Sequence, residues 1–172
     1  MSTLLAFHRR ALAALDAMRS PMLLFVRLYW GWQFAQTGWG KLQHIDRITG
    51  FFASLGIPFP ALNAHFVSAL ELVGGVFWIL GLATRPISFL LAGNMFVAYW
   101  TADRPALLSF FKDPGTFYVA DPYTFLFAAL LLLFFGPGRF ALDTLLDTLL
   151  ARVIAVRCKL EKKIVHNDES RA

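Results

Sequence analysis

Charge is scarce in this chain. Of its 172 residues, 16% are Asp, Glu, Lys or Arg, against 58% hydrophobic and 16% aromatic, whereas a soluble domain carries about 25% charged residues. That balance excludes an ordinary water-soluble domain and reads as a membrane protein. Cysteine is nearly absent. The single Cys158 excludes a disulfide framework, a CxxC pair, a thiolate metal site and an intramolecular dithiol mechanism within the chain. Of the four histidines, His8 and His166 lie in the polar arms and His44 and His65 at the edges of apolar runs. None lies inside a run, so an axial ligand for a b-type haem within a bundle is missing and no metal site is expected. There is no GxSxG, no HExxH and no glycine-rich phosphate loop with a strand before it, so no self-contained enzyme is legible and no catalytic residue is assigned. No repeat or Pro/Gly/Ser linker divides the chain. The net charge of +5 comes mostly from basic residues flanking apolar segments. Anionic lipid head groups account for them, and nucleic acid is not an expected partner.

What is present is a set of apolar runs. Pro21 to Gly40, about 20 residues, is long enough at about 1.5 Å per residue to cross a hydrocarbon core of ~30 Å. Residues 65–84 form a second such run, 86–102 a third and 122–136 a short fourth. The expected fold is all-α: an integral membrane four-helix bundle with interfacial amphipathic helices. Residues 1–20, with Leu4, Leu5, Leu12, Leu15 and Met18 around Arg9, Arg10 and Arg19, read as an amphipathic arm on the membrane surface rather than a cleaved signal peptide. The four-span domain covers residues 21–138. In the first connection Ile48, Phe51, Phe52 and Leu55 make an apolar stripe ended by Gly56, Pro58 and Pro60, which predicts a short helix in the interface. A second interfacial segment is expected between Asp103 and Asp121, with Asp121 capping the fourth span. Residues 139–172 form a basic tail in which Leu142, Leu145, Leu149, Val153, Val156 and Leu160 share one stripe. That tail predicts a helix resting on an anionic leaflet or docking a partner, with an irregular end from about His166.

Lysine and arginine orient the spans. Arg9, Arg10, Arg19, Arg85, Arg139, Arg152, Arg157, Lys159, Lys162, Lys163 and Arg171 fall on one side, while only Lys41, Arg47, Arg104 and Lys112 fall on the other. Positive charge stays inside, so both termini are expected in the cytoplasm.

The polar residues inside the spans are the site candidates. Arg27, Gly31, Phe34, Gly38 and Lys41 lie within roughly 40° of one line on a helix. Glu71, Gly75, Trp78, Leu82 and Arg85 repeat the pattern in the second span. Each helix therefore presents a charged face grooved by glycine, and small residues let membrane helices approach closely. Arg27 and Glu71 invite pairing, but in antiparallel spans their α-carbons differ in depth by ~11 Å. Gln33, Asn94 and Tyr99 complete a candidate intramembrane polar pocket of Arg27, Gln33, Glu71, Trp78, Arg85, Asn94 and Tyr99. Either these groups form a structural network that fixes the packing, or they line a binding pocket or proton path.

Five blocks carry a family resemblance: RLYWGWQFAQTGWGKL (27–42), FFASLGIPFP (51–60), ELVGGVFWILGLATRP (71–86), NMFVAYW (94–100) and GPGRFALD (136–143). In this order, over residues 21–143, they resemble the DoxX family of small bacterial four-helix membrane proteins. The resemblance implies a bacterial inner-membrane bundle associated with redox chemistry. Related DoxD proteins are described as a subunit of a thiosulfate:quinone oxidoreductase, and some DoxX members as membrane parts of redox complexes. In the first of two function readings, a membrane subunit of an oxidoreductase, Trp30, Trp32, Trp78 and the Arg27 and Glu71 faces make a site for a quinone head group, and no other cofactor is expected. The family has no agreed catalytic residue, so none is carried over. The implied partners are the lipid bilayer, a soluble redox protein and a second copy of the chain; a non-catalytic anchor or small-molecule carrier is the other reading.

Overall fold

A computed structural model describes residues 2–169. Among them every regular element is a helix: α1 (Ser2–Gln43), α2 (Ile45–Ser54), α3 (Pro60–Leu80), α4 (Thr84–Thr101), α5 (Arg104–Leu108), α6 (Pro114–Val119), α7 (Pro122–Phe135) and α8 (Leu142–Glu169). The C-terminal half of α1 shares one core with α3, α4 and α7. Leu23, Val26 and Phe34 of α1 meet Trp78 of α3, Leu91, Ala92 and Met95 of α4, and Ala128, Ala129 and Leu132 of α7. Phe34 sits edge-on to both Trp78 and Phe125, with ring centroids 5.3 and 4.6 Å apart.

The structure shows no break at Pro21, where the expected surface arm meets the first span. α1 runs unbroken for 42 residues with Pro21 inside it, about 63 Å at 1.5 Å per residue, twice a hydrocarbon core. A proline inside a helix removes one hydrogen bond and crowds the preceding turn, a local penalty that does not divide this helix. At the other end α8 continues through His166 to Glu169, where an irregular tail is expected. Residues 1 and 170–172 lie outside the described residues.

α1 and α3 cross through glycine. A Cβ on Gly38 would lie 2.7 Å from the Ser68 carbonyl oxygen, and one on Gly31 would lie 2.9 Å from that of Gly75. The two backbones are therefore in contact, which sets the antiparallel register of the whole bundle. α3 starts earlier than expected because Pro60 suits the first helical turn. It ends at Leu80 in a Schellman motif. Gly81 adopts φ +70, its N–H bonds the Trp78 carbonyl and Leu82 N–H bonds that of Phe77. Asp121 already has helical dihedrals and makes no side-chain cap bond to α7, so the expected cap is absent.

Among the described residues, α3 is the helix long and apolar enough to cross a membrane by length and composition, and α7 is a shorter apolar helix. α1 carries Arg27, Gln33 and Gln36, and α4 carries Arg85 and Asn94, which dilute their hydropathy.

Candidate functional site

The predicted site residues separate into two places, because α1 and α3 are antiparallel and their charged ends are a bundle length apart. The first is at the end from which α8 departs. Arg27 is buried to 1% exposure and turns its guanidinium onto four main-chain carbonyls. Nε donates to Trp78 O at 2.8 Å and Nη2 to Ile79 O at 3.1 Å, while Nη1 donates to Pro137 O at 3.0 Å and Phe140 O at 2.8 Å. The last turn of α3 leaves carbonyls without helical partners, and the planar fork of arginine fits such a cluster. Arg27 thereby ties α1 to the end of α3 and to the loop after α7.

Asp143 completes this junction. Its own N–H bonds Gly81 O at 2.9 Å, and its carboxylate accepts from Ala83 N at 2.7 Å and Thr84 N at 2.8 Å. The start of α4 is thus capped from another helix, and Ala83, held at φ +46, a conformation costly for an L side chain, is fixed there. Asp143→Ala is expected to cost about 2 kcal/mol, from the loss of two cap bonds to backbone N–H groups; thermal unfolding in detergent checks it, and an unchanged midpoint would refute the role. Trp78 is fully buried with no partner for Nε1 among the described residues. Arg85 is exposed, its guanidinium beside Gly136.

The second place lies toward the other end. Glu71, 1% exposed, accepts from Lys41 Nζ on both oxygens, at 2.6 and 2.7 Å, and from Asn94 Nδ2 at 3.1 Å. This trio sits in the wall of a cavity of about 350 Å³ whose other lining is largely apolar: Ile48, Phe51 and Phe52 of α2 with Leu55 just after it, Val67 of α3, and Met95, Val97 and Ala98 of α4. Burying a carboxylate is tolerable only when it is paired and hydrogen-bonded; here α1 supplies the cation and α4 the amide.

Arg27 and Glu71 do not pair. Gln33 reaches only Tyr29 Oη, at 3.5 Å, and Gln36 is exposed. Tyr99 is buried but donates to Phe117 O at 2.8 Å and stacks on the Phe117 ring. Trp32 is exposed, and neither it nor Trp30 nor Trp78 lines the cavity. Of the residues expected in one pocket, Glu71 and Asn94 line the cavity, Arg27 meets the Trp78 carbonyl at the other end, and Gln33, Arg85 and Tyr99 lie at neither cluster of contacts. Lys41 and Asp143 are not among the expected site residues, although Lys41 lies on the charged face of α1 with Arg27. A signal existed: Lys41 shares the stripe of Arg27, Gly31 and Gly38, and aligning those glycines with Gly75 brings it beside Glu71.

The DoxX family model matches residues 22–104. The chain is 30% identical over 137 residues to "Inner membrane protein YphA" of Escherichia coli (strain K12), a match that covers 74% of this chain and 91% of that protein. It is 29% identical over 141 residues to "Uncharacterized membrane protein Rv3486" of Mycobacterium tuberculosis (strain ATCC 25618 / H37Rv), covering 75% and 83%. It is 35% identical over 83 residues to "Putative oxidoreductase CatD" of Bacillus subtilis (strain 168), covering 48% and 60%. No solved structure matches the chain.

Proposed function

The chain belongs to the DoxX family and is a membrane protein, and from that premise we propose that it is the membrane subunit of a quinone-linked redox complex. In this reading α3, α4, α7 and the C-terminal half of α1 cross the bacterial inner membrane as a four-helix bundle with both termini in the cytoplasm. The inner-membrane name of the E. coli relative supports the location, the distribution of Lys and Arg supports the orientation, and the oxidoreductase name of the B. subtilis relative supports the redox association.

One observation carries the proposal: an apolar cavity of about 350 Å³ with the buried Glu71 in its wall, held by the half-buried Lys41 and Asn94. Its volume is in the range of small-molecule sites, which combine apolar walls with a few convergent polar groups. The residues fit a quinone head group, since the ring is apolar and its carbonyls need donors. An ammonium has three N–H bonds and an amide two; Glu71 takes two of Lys41's and one of Asn94's, leaving a donor on each. A bound quinone would supply reversible two-electron, two-proton chemistry. The protein's share is to hold the ring, exclude water and keep the Glu71 carboxylate and Lys41 ammonium beside its oxygens.

The test is quinone content. Protein purified from its own membranes in mild detergent is expected to release a quinone on solvent extraction, and Glu71→Gln, which keeps the side chain's shape but not its charge, is expected to lose most of it. Wild type without quinone, or Glu71→Gln with a full complement, would overturn the proposal. A second reading, a membrane anchor for a soluble protein, is favoured by α8, where Leu145, Leu146, Leu149 and Leu150 are all exposed. A partner co-purifying only when α8 is intact, from protein without quinone, would favour it.

A further inference from the structure

The way the helices rest on α3 decides how a ligand reaches Glu71. α2 packs on α3 and the end of α1, and α4 packs on α3 and α7. The two therefore lie side by side on α3 with a cleft between them, and the cavity fills it: Phe51, Phe52 and Leu55 form one wall, Val97, Ala98 and Thr101 the other. The rim is apolar and open. Phe51 is 49% and Val97 53% exposed, whereas Glu71 at the base is closed over. On a helix that crosses a bilayer, an exposed apolar rim faces acyl chains rather than water.

The polar groups restrict the ligand further. Lys41 and Glu71 neutralise each other, so an anionic ligand would have to take Lys41 away and leave Glu71 buried and unpaired, and a cationic one would have to displace the lysine. A neutral molecule with an oxygen acceptor needs neither. It can use the spare N–H of Lys41 and of Asn94 while the ion pair stays closed.

We infer that the α2–α4 cleft is a lateral portal, opening in the leaflet at the end of the bundle opposite α8, for a neutral ring carbonyl with a long apolar tail. The head sits on Lys41 and Asn94, and the tail leaves between Phe51 and Val97 into the lipid. This rests on the quinone reading and adds to it the route, the leaflet and the need for a tail. α2, whose stripe reads in sequence as an interfacial anchor, is one wall of the portal.

The experiment uses the full chain in lipid nanodiscs with two probes, a decyl-tailed ubiquinone analogue and the same dimethoxy-methyl-benzoquinone ring without a tail. Thr101→Trp narrows the outer part of the cleft, about two helical turns along α4 from Asn94. It is expected to weaken the tailed analogue about tenfold, the scale of lost apolar contact along a chain, and the ring alone by less than about twofold. On the unaltered protein, a photoreactive diazirine at the tail's end is expected to label residues 48–57 and 97–102. Equal weakening of the tailed analogue and the ring in Thr101→Trp, unchanged affinity of the tailed analogue there, or labelling confined to α1 and α7, would overturn the portal while leaving a quinone site standing. Failure of both probes to bind the wild type would remove the quinone reading and the portal with it.

Discussion

Arg27→Leu is expected to be among the most damaging single changes in this chain, costing on the order of 4 kcal/mol of stability. The guanidinium satisfies carbonyls of Trp78, Ile79, Pro137 and Phe140; Trp78 O keeps the Gly81 N–H when Arg27 is lost, but each buried acceptor left without a donor costs about 1–3 kcal/mol. Water entering the end of the bundle recovers part of that, which sets the estimate below the sum. Against a total stability of roughly 5–15 kcal/mol, such a loss lowers the thermal midpoint by about 10 °C for a chain of this size. Circular dichroism melts in detergent measure it. Arg27→Lys is the informative companion. It keeps the charge but replaces the planar five-donor fork by a point ammonium, so it is expected to recover less than half of the loss. A leucine variant melting with the wild type would mean that the junction is not held by Arg27. Because Arg27 lies away from the cavity, residual folded Arg27→Leu protein is expected to keep its ligand, whereas a catalytic arginine would lose it.

The second large effect is steric. A Cβ on Gly75 would stand 2.5 Å from both Ala35 N and Gly31 O, and backbone atoms of a neighbouring helix cannot move aside as a flexible side chain can. Gly75→Leu therefore forces α1 and α3 apart and is expected to cost at least about 3 kcal/mol, the upper range for overpacking. Separation also breaks the Lys41–Glu71 pair that bridges the two helices, and an unpaired buried carboxylate adds to the loss. The expected result is little folded protein in the membrane. Gly93→Leu on α4 is the control, because a Cβ there meets nothing within 4 Å. Equal folded yields of the two variants, by size-exclusion chromatography of detergent extracts, would contradict close packing through Gly75.

How far the site could be read from the sequence depended on the kind of interaction. Glu71 and Asn94 stand out as polar groups inside apolar runs, because burial of such groups always needs a reason. Lys41 did not, since a lysine at the end of a span normally snorkels to the head groups; only the register fixed by Gly31, Gly38 and Gly75 turns it inward. Asp143 was invisible for a related reason. It caps a helix that begins 59 residues earlier in the chain, and capping signals are read from neighbours in sequence. The aromatic stripe of α2 was legible as a stripe, but whether it faces lipid or a cavity depends on what lies beneath it.

By itself the sequence determined that this is an all-α membrane protein with polar residues set into apolar helices, because burial of hydrophobic area and helical periodicity are properties of short stretches. Tertiary structure alone decided who meets whom. Arg27 holds carbonyls rather than Glu71, Lys41 and Asn94 close on Glu71, and α2 leans over α3 to leave a cleft beside α4. Those outcomes turn on the antiparallel register and on backbone contact at glycine, both of which join residues tens of positions apart.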